Sequence, residues 1–375
     1  MVVKNRILFI TSSNSQGGAE KQLFRLIESI SVYNITLICL SDNKQYDIYH
    51  KLNGINGFKY ILLNPKKLIS IKYLLKESLD LIHKNKTKTL IIGWLAKGNL
   101  IALLICILKP FKTITFCCHR SLFSLNQSKL SQIMLWTSLL AYLIYPKKII
   151  HIINSNLIAS SKLTRIFLKS KPLLIPNSYF KEKNIIRSKI IQSNDSKNLN
   201  LLVVARFSPE KGYKLLFESL RDISIPYKLK CIGKGCSFEN HSFKRLCNKY
   251  KINPIVEESV GNIYQEYKNT DFLILSSYSE AFPNVIIESI MEGTPAICTP
   301  VGPLTNLLKT YGLVSNSFSP EDLRRSIMRA DFIKKNSDLY KEISSSLSKR
   351  IKDYILTPEE AGIAYEQIFK YHLEK

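Results

Sequence analysis

The sequence predicts an α/β protein with two domains, each a doubly wound parallel sheet covered by helices. Short continuous apolar segments, typical of strands buried on both faces, alternate with segments of helical periodicity. The alternation stops at a polar stretch, residues 181–198, and then starts again. The chain has 375 residues, and at roughly 150 residues per domain this length suggests two domains.

The first half of the chain contains a series of short apolar strands and one clear amphipathic helix. The helix is predicted at residues 19–30, where Leu23, Leu26, Ile27 and Ile30 share one face. The predicted strands are residues 6–13, 35–41, 89–94, 113–119, 149–155 and 173–178, with helical stretches between and after the strands at 89–94 and 113–119. Repeated β-helix-β units of this kind imply a parallel, doubly wound sheet.

The second half repeats the pattern after the polar connection. Its predicted strands are residues 200–207, 227–233, 271–277 and 296–300, and its predicted helices are residues 214–221, 243–250 and 284–292. A last helix is predicted at residues 358–371, with Ala361, Ala364, Tyr365, Ile368 and Phe369 roughly on one face. Two such domains are expected to leave a cleft that the carboxyl edges of both sheets face.

Charge is distributed unevenly between the two halves. The whole chain has 54 Lys and Arg against 29 Asp and Glu, a net charge of +25. Residues 1–177 hold 25 basic and 6 acidic residues, a net charge of +19, and the remainder holds 29 and 23, a net charge of +6. Between Leu81 and Lys181 there is no acidic residue, while 15 residues are Lys or Arg. A lysine-rich genome explains many lysines, but it does not explain acids missing from one half. The first domain is therefore expected to face an anionic partner, such as a membrane surface, a lipid phosphate or nucleic acid.

Composition excludes several protein classes. With 45% hydrophobic and 22% charged residues, the chain is neither disordered nor fibrous. Its eight cysteines are scattered, with no zinc-site spacing, and are expected to be buried thiols in a reducing compartment. The longest apolar runs, residues 100–108 and 133–145, are shorter than a membrane span requires. The N-terminus does not resemble a signal peptide. We therefore expect a cytoplasmic protein with peripheral membrane contact at most.

Several cofactor and catalytic motifs are absent, and four other features carry the chemistry. The sequence contains no P-loop, no dinucleotide-binding G-x-G-x-x-G, no H-E-x-x-H and no G-x-S-x-G. The first feature is the segment at residues 15–20, where Gly17 and Gly18 lie between a strand and a helix. There the backbone can approach a ligand and the helix N-terminus favours negative charge, although a plain turn would look the same.

Two further features follow strands of the second half. Arg206 and Lys211 lie on the loop after a buried strand, where a fork-shaped guanidinium and a compact ammonium suit a diphosphate. The alternative is a solvated charge pair. Gly233 and Gly235 follow the next strand, marking either a second place where backbone lies against a ligand or a tight turn.

The fourth feature, residues 279–288, is the most specific. Glu280 lies on a loop after a strand, Pro283 suits a first helical turn, Glu288 lies one to two turns into the helix, and Gly293 ends it. Two carboxylates eight positions apart can reach opposite ends of one ligand, where they would accept hydrogen bonds from sugar hydroxyls. Backbone N–H groups near Ala281 and Asn284 would point at that ligand. Glu288 on a helix surface is the structural alternative.

Together these segments resemble a known family. SEAFPNVIIES followed by GTPAICTPVG resembles the signature of glycosyltransferase family 4, and VARFSPEKG resembles its diphosphate-binding segment. Gly17-Gly18, Ile175-Pro-Asn-Ser and Gly233-x-Gly235 occur in the family's order, so that the resemblance covers nearly the whole chain.

The resemblance implies a GT-B fold: two Rossmann-like domains facing across a cleft, with the last helix returning to the first domain. The implied domains are residues 1–178, an acceptor domain, residues 179–356, a nucleotide-sugar donor domain, and the helix at residues 357–375. Members transfer a sugar from a nucleotide diphosphate donor with retention, usually without a metal, and no cofactor is expected because the nucleotide sugar is a substrate.

The resemblance also implies roles for individual residues. Arg206 and Lys211 would hold the diphosphate and stabilise charge on the leaving nucleotide. Glu280 would bind donor-sugar hydroxyls and Glu288 the ribose, while Gly17, Gly18 and Gly233 would border the donor. The backbone that lies against the sugar and phosphates would belong to Ala281, Phe282, Pro283, Asn284 and Val285.

His119 matches a family position near the donor sugar, and two neighbouring positions depart from the family. Arg120 follows His119 where many relatives carry an acid, which puts acceptor-side chemistry in doubt. The family often has a glutamate after Val301-Gly302, whereas this chain continues PLTNLL and loses one polar contact to the donor. No protein nucleophile is expected, since the leaving phosphate is thought to take the acceptor proton.

The resulting hypothesis is a retaining, metal-independent glycosyltransferase at the cytoplasmic face of the membrane. It would use a UDP-sugar, or next a GDP-sugar, and a lipid-linked or other glycan acceptor in bacterial surface-polysaccharide synthesis, such as lipopolysaccharide or capsule. Its basic domain would contact anionic lipid and no nucleic acid. One alternative is a nucleotide-sugar epimerase of the same fold, which would need another acid/base arrangement. The other is a nucleic-acid-binding protein, which charge alone suggests.

Overall fold

A computed structural model of the chain describes residues 5–14, 17–40, 49–62, 88–109, 112–121, 149–160, 171–179 and 197–374, with positions 76, 78–80, 82 and 136. Contacts between Cα atoms divide the chain into two compact units. Unit 1 is Met1–Ser178 with Leu356–Lys375, and unit 2 is Tyr179–Ile355.

Unit 1 contains a parallel sheet of seven described strands in the order β3-β2-β1-β4-β5-β6-β7. The strands are β1 (Arg6–Thr11), β2 (Asn34–Cys39), β3 (Phe58–Leu62), β4 (Thr89–Trp94), β5 (Thr113–His119), β6 (Ile149–Ile153) and β7 (Leu173–Leu174). The strands β1, β2 and β4 are almost entirely buried. Burial on both faces explains why they occur in the sequence as continuous apolar runs.

Helices cover both faces of this sheet. They are α1 (Gly18–Ser29), α2 (Leu95–Leu108), α3 (Asn156–Ser160) and α11 (Pro358–Glu374), with a 3-10 turn at Tyr49–Gly54. On one face α1 and α11 bury Leu23, Phe369 and their neighbours against Phe9 and Leu90. On the other face α2 packs against β1, β4 and β5. The doubly wound arrangement predicted from the sequence is confirmed for this unit.

Unit 2 contains a second parallel sheet, with five described strands in the order β10-β9-β8-β11-β12. The strands are β8 (Leu199–Val204), β9 (Tyr227–Ile232), β10 (Ile255–Glu257), β11 (Phe272–Leu275) and β12 (Ala296–Cys298). The helices are α4 (Tyr213–Arg221), α5 (His241–Tyr250), α6 (Ile263–Lys268), α7 (Asn284–Met291), α8 (Thr305–Lys309), α9 (Pro320–Lys335) and α10 (Ser337–Arg350), with 3-10 turns at Pro209–Lys211 and Ile351–Tyr354. One continuous apolar core connects these elements.

The structure contains several strands and helices that the sequence did not predict. Strands β3 and β10 and helices α6, α8, α9 and α10 were not predicted. The strand expected at residues 173–178 is only two residues long, since Pro176 has no N–H to donate to a neighbouring strand. Of the connection predicted at residues 181–198, positions 181–196 lie outside the described residues.

The predicted thiols and apolar runs can be placed in part. All eight cysteines lie among the described residues as buried free thiols, as predicted. The apolar run at residues 100–108 belongs to α2, whereas the run at residues 133–145 lies outside the described residues except for Trp136. Among the described helices, none has the length and apolar character needed to cross a membrane.

Candidate functional site

The candidate residues of unit 2 lie on loops at the carboxyl edge of its sheet. Arg206 and Lys211 follow β8, Gly233 follows β9, and Glu280 follows β11. These strands are parallel neighbours, so their following loops meet at the same edge. The fold therefore brings together three sequence segments that are up to about seventy positions apart.

Lys211 and Glu280 form an ion pair at this edge. The Lys211 Nζ atom lies 2.7 Å from Glu280 Oε1, and the side chains are 20% and 13% exposed. The Ser277 hydroxyl donates to the same carboxylate oxygen at 2.7 Å. The ammonium and carboxylate predicted to hold a diphosphate and a sugar thus neutralise each other here. Ser277 was not among the predicted residues, because a serine before a loop gives no signal of its own.

Arg206 is the more accessible cation. Its side chain is 64% exposed and donates to Glu210 Oε1 through Nη2 at 2.5 Å and through Nε at 3.2 Å. Partial burial opposes ionisation of Glu210. The hydrogen bonds from Arg206, from the backbone and from Ser208 outweigh it and lower the Glu210 pKa. The guanidinium retains exposed donors with which it can bind an anion, as phosphate recognition requires.

Gly212 allows the loops after β8 and β11 to touch. Its backbone is left-handed, with φ of +66°, and an added Cβ atom would lie 1.9 Å from the carbonyl oxygen of Ser276. The Ser276 hydroxyl donates to Lys211 O at 2.9 Å, and Tyr278 N donates to Glu210 O at 2.8 Å. These contacts hold the backbone that carries Lys211 against the backbone that carries Glu280.

Gly233 begins the tight turn that the sequence offered as an alternative, with Cys236 N donating to Gly233 O at 2.9 Å, and it also makes a close backbone contact. Its φ is +149°, and an added Cβ atom would lie 2.3 Å from the carbonyl oxygen of Ala205. The glycine is therefore required for packing of the β9 loop on the β8 loop. Contact between Gly233 and a ligand stays a prediction.

Glu288 is buried within unit 2 rather than on a helix surface. It lies on α7, and Tyr267 donates its hydroxyl to Glu288 Oε2 at 3.0 Å. Burial, followed by the nearby Glu288 charge, raises the pKa of Tyr267 well above its ordinary value. One carboxylate oxygen is thus held by the protein itself, and binding of ribose by Glu288 stays a prediction.

The segment between the two glutamates forms the start of α7. Ala281 is buried, Phe282 and Val285 are partly buried against the core, and α7 begins at Asn284 directly after Pro283. Gly293, with φ of +83°, follows the end of the helix as predicted. Gly302 approaches this segment, because an added Cβ atom would lie 3.2 Å from Pro283 Cδ and 3.7 Å from Glu280 Cβ.

In unit 1, His119 lies at the end of β5 and is buried. Its Nε2 atom lies 3.1 Å from His151 Nδ1, and the two rings are stacked. Burial, then the proximity of His151 and Arg120, lowers the His119 pKa well below its usual value. Burial lowers the His151 pKa to about 3. Both imidazoles are therefore neutral near pH 7, and His119 can exchange hydrogen bonds but does not supply a cation.

Arg120, where the family often has an acid, is tied into unit 1. Its guanidinium lies 4.2 Å from the centroid of the Trp94 ring and donates to Asn177 Oδ1 at 3.0 Å and to Tyr365 Oη at 2.5 Å. An acid could make neither the cation–π contact nor these donations. The arginine thus connects the end of β5 with α11.

Gly17 and Gly18 lie at the start of α1 at the carboxyl edge of the first sheet. Gly17 has an ordinary extended backbone, with φ of −65°. An added Cβ atom would lie 2.3 Å from Glu20 Oε2, the end of a flexible side chain. These glycines and His119 belong to unit 1 and the other candidates to unit 2. Among the described residues, no group of three or more His, Cys, Asp or Glu could hold a metal ion.

Comparison with known proteins identifies the fold of the chain and the family of its second unit. Residues 185–348 match the family profile described as Glycosyl transferases group 1. This stretch of the chain is therefore similar to the group 1 glycosyltransferases. The matched stretch covers most of unit 2 and agrees with the resemblance predicted from the sequence.

One curated relative is similar to part of this chain. The chain is 29% identical over 164 residues to the uncharacterised glycosyltransferase MJ1178 of Methanocaldococcus jannaschii, a match that covers 43% of this chain and 44% of that protein. The match therefore spans less than half the length of either protein.

Structural similarity extends over nearly the whole chain. The Anabaena protein Alr3699/HepE, solved with UDP and glucose, has a TM-score of 0.76 and 14% identity, with coverage of 97% of this chain and 99% of that one. The sucrose-phosphate synthase of Thermosynechococcus elongatus has a TM-score of 0.77 and 16% identity, with coverage of 99% of each chain. WaaG, a glycosyltransferase involved in lipopolysaccharide biosynthesis, has a TM-score of 0.68 and 14% identity over 95% of this chain and 98% of its own. The predicted GT-B fold is confirmed.

Proposed function

We propose that the protein is a retaining, metal-independent glycosyltransferase that uses a nucleotide diphosphate sugar. The observation that carries the proposal is the arrangement of Arg206, Lys211 and Glu280 on adjoining loops of the glycosyltransferase domain. Two cations and a carboxylate at one sheet edge suit the diphosphate and the sugar hydroxyls of such a donor.

The chemistry follows from these groups. The bond between the anomeric carbon and the phosphate oxygen breaks, and negative charge grows on the leaving nucleotide. Arg206 and Lys211 stabilise this charge, while the acceptor hydroxyl forms the new bond on the same face and gives its proton to the leaving phosphate. Removing either cation is expected to reduce the rate roughly a hundred-fold or more. His119, being neutral, would hydrogen-bond to the donor sugar.

A UDP-sugar is the preferred donor, with a GDP-sugar next. HepE, a structural neighbour of this chain, was solved with UDP and glucose and also with UDP-glucose. The acceptor in this proposal is a lipid-linked or other glycan of bacterial surface-polysaccharide synthesis, reached at the cytoplasmic face of an anionic membrane. The net charge of +19 on residues 1–177 supports the membrane contact.

Thermal unfolding with and without nucleotides tests the donor site. UDP, GDP, ADP and their common sugars would be compared on the wild type, Arg206→Ala and Lys211→Met. A ligand at 100 times its dissociation constant should stabilise the protein by about 2.7 kcal/mol, and this stabilisation should fall sharply in both variants.

Arg221→Ala is the matched control. Arg221 also pairs with a carboxylate on the surface of unit 2, but it lies in the last turn of α4, away from the carboxyl edge. The Arg221→Ala variant should be stabilised by nucleotides as much as the wild type is. Equal stabilisation of the wild type and both site variants would contradict the assignment of Arg206 and Lys211, as would no stabilisation by any nucleotide.

A further inference from the structure

Helix α2 has an apolar face that points to solvent. The helix is apolar on almost its whole circumference, and one face packs on the sheet through Ile101, Ala102 and Ile105. On the other side Leu104, Ile107 and Leu108 are 39%, 40% and 51% exposed. Their spacing of three and four positions places them on one stripe of the helix. A helix that is apolar all round is usually buried in a core or in lipid.

Lysines border this stripe. Lys97 is exposed and lies seven positions, or about two helical turns, before Leu104. Lys109 and Lys112 follow the end of the helix, and Lys112 is exposed. The helix itself contains no acidic residue, and the sequence has none from Leu81 to Lys181. An apolar strip bordered by lysines is complementary to an anionic bilayer, in which aliphatic side chains reach the acyl boundary and ammonium groups bind lipid phosphates.

We propose that the exposed stripe of α2, comprising Leu104, Ile107 and Leu108, docks with the three neighbouring lysines on the surface of an anionic lipid bilayer. Binding of the bilayer would bring the enzyme to a lipid-linked acceptor, and this role of the surface rests on the proposed function. It is independent of the nucleotide site, which lies in unit 2.

Vesicle flotation of the full-length chain tests this surface. Wild-type protein should bind vesicles rich in phosphatidylglycerol and release at high salt, and it should bind pure phosphatidylcholine weakly. Ile107→Glu should abolish most binding, because it places a carboxylate in the apolar strip. Each of Lys97→Gln and Lys112→Gln should weaken binding about five-fold, which corresponds to about 1 kcal/mol per lysine.

Val32→Glu is the matched control, since Val32 is a 56% exposed aliphatic residue of unit 1 outside the stripe. Binding equal to wild type in Ile107→Glu, or equal loss in Val32→Glu, would overturn the proposal, as would absence of wild-type binding. A melting transition like that of the wild type in each variant shows that unit 1 is folded, and stabilisation by UDP reports the donor site in unit 2 separately. Absence of stabilisation by UDP throughout would contradict a UDP-sugar donor and leave the vesicle result to decide this surface.

The Lys211–Glu280 ion pair carries a second inference. A diphosphate bound by Lys211 competes with Glu280 for the ammonium, which is only 2.7 Å from the carboxylate. If UDP alone bound the Lys211 ammonium, Glu280 would keep only the hydrogen bond from the Ser277 hydroxyl. Loss of the ammonium is unfavourable for a mostly buried carboxylate. A UDP-sugar supplies hydroxyls that can replace the ammonium.

We infer that the Lys211–Glu280 pair makes the site bind a sugar nucleotide more tightly than the free nucleoside diphosphate. This inference rests on the proposed function. Calorimetric titration with UDP and UDP-glucose tests it. The wild type should prefer UDP-glucose. Glu280→Gln should bind UDP roughly five-fold more tightly, because Lys211 is no longer held, and should lose the preference.

Glu258→Gln is the control for a general loss of negative charge. Glu258 is exposed and accepts a hydrogen bond from Gly235 N at 2.9 Å on a neighbouring loop. Unchanged or weaker UDP binding in Glu280→Gln, or equal tightening in Glu258→Gln, would overturn the inference. Failure of the wild type to bind either ligand would instead contradict a UDP-sugar donor.

Discussion

At the scale of residues, the polar side chains that matter are held by partners that sequence motifs do not show. His119 was predicted from its place at the end of a strand, whereas His151, thirty-two positions later, was not. The two meet because β5 and β6 are neighbouring parallel strands with Cys117 opposite His151. The same holds for Lys211 and Glu280, which are predicted separately and become a pair only in the fold.

The histidine pair predicts acid sensitivity. Burial holds the His151 pKa at about 3 in the folded protein, compared with about 6.5 in an unfolded chain. Between these values the unfolded state binds more protons, so that the free energy of unfolding falls as the pH falls below about 6.5. The loss approaches 1.4 kcal/mol per pH unit for each such histidine.

Urea unfolding followed from pH 7.5 to pH 4.5 checks this expectation. His151→Asn should lose stability less steeply with acid than the wild type. His241→Asn, which changes an exposed histidine, should follow the wild-type slope. Parallel slopes for the wild type and His151→Asn would show that His151 is not held neutral by burial.

At the scale of elements, the loops after the strands of unit 2 are shaped by close backbone contacts. The sequence predicted the strands and the main helices around these loops, because buried parallel strands and amphipathic helices have distinct apolar periods. It did not predict the short edge strand β10 or the polar helices α9 and α10, whose apolar pattern is diluted by charged and serine residues.

Gly212→Ala and Gly233→Ala are expected to destabilise unit 2 by about 2 kcal/mol or more each. Both glycines have positive φ, and an added Cβ atom would overlap the carbonyl oxygens of Ser276 and Ala205. Gly261→Ala, at a position with no atom within 4 Å of the added Cβ, should be close to neutral. Chemical denaturation of the three variants makes the comparison. A neutral result at Gly212 would contradict the tight contact of its loop with the loop that carries Glu280.

At the scale of the whole molecule, the last helix belongs by its contacts to the first unit. The α11 helix follows unit 2 in sequence but packs on α1. Its Phe369 is fully buried against Tyr33, Phe116 and Tyr365. The end of the chain therefore completes the core of unit 1.

Phe369→Ala is expected to destabilise unit 1 by about 3–5 kcal/mol, the usual cost of a large cavity in a core. Ile363→Ala, at an exposed position of the same helix, should have little effect. Calorimetric melting in the presence and absence of UDP checks the location of the effect. The nucleotide should still stabilise unit 2 in Phe369→Ala, and equal melting of the two variants would contradict the role of α11 in the first core.

Sequence patterns were enough to predict the fold class, both parallel sheets, the family resemblance and the basic character of the first half. These properties depend on local periodicity, on composition and on motifs that are continuous in the chain. Which groups meet became visible only in the folded chain, where Lys211 pairs with Glu280, Glu288 with Tyr267, His119 with His151, and Arg120 with Tyr365. The folded structure also shows that one apolar face of α2 stays exposed outside the core. Such pairings depend on strand order and register, which place residues far apart in sequence within a few ångströms and leave no periodic signal in the chain.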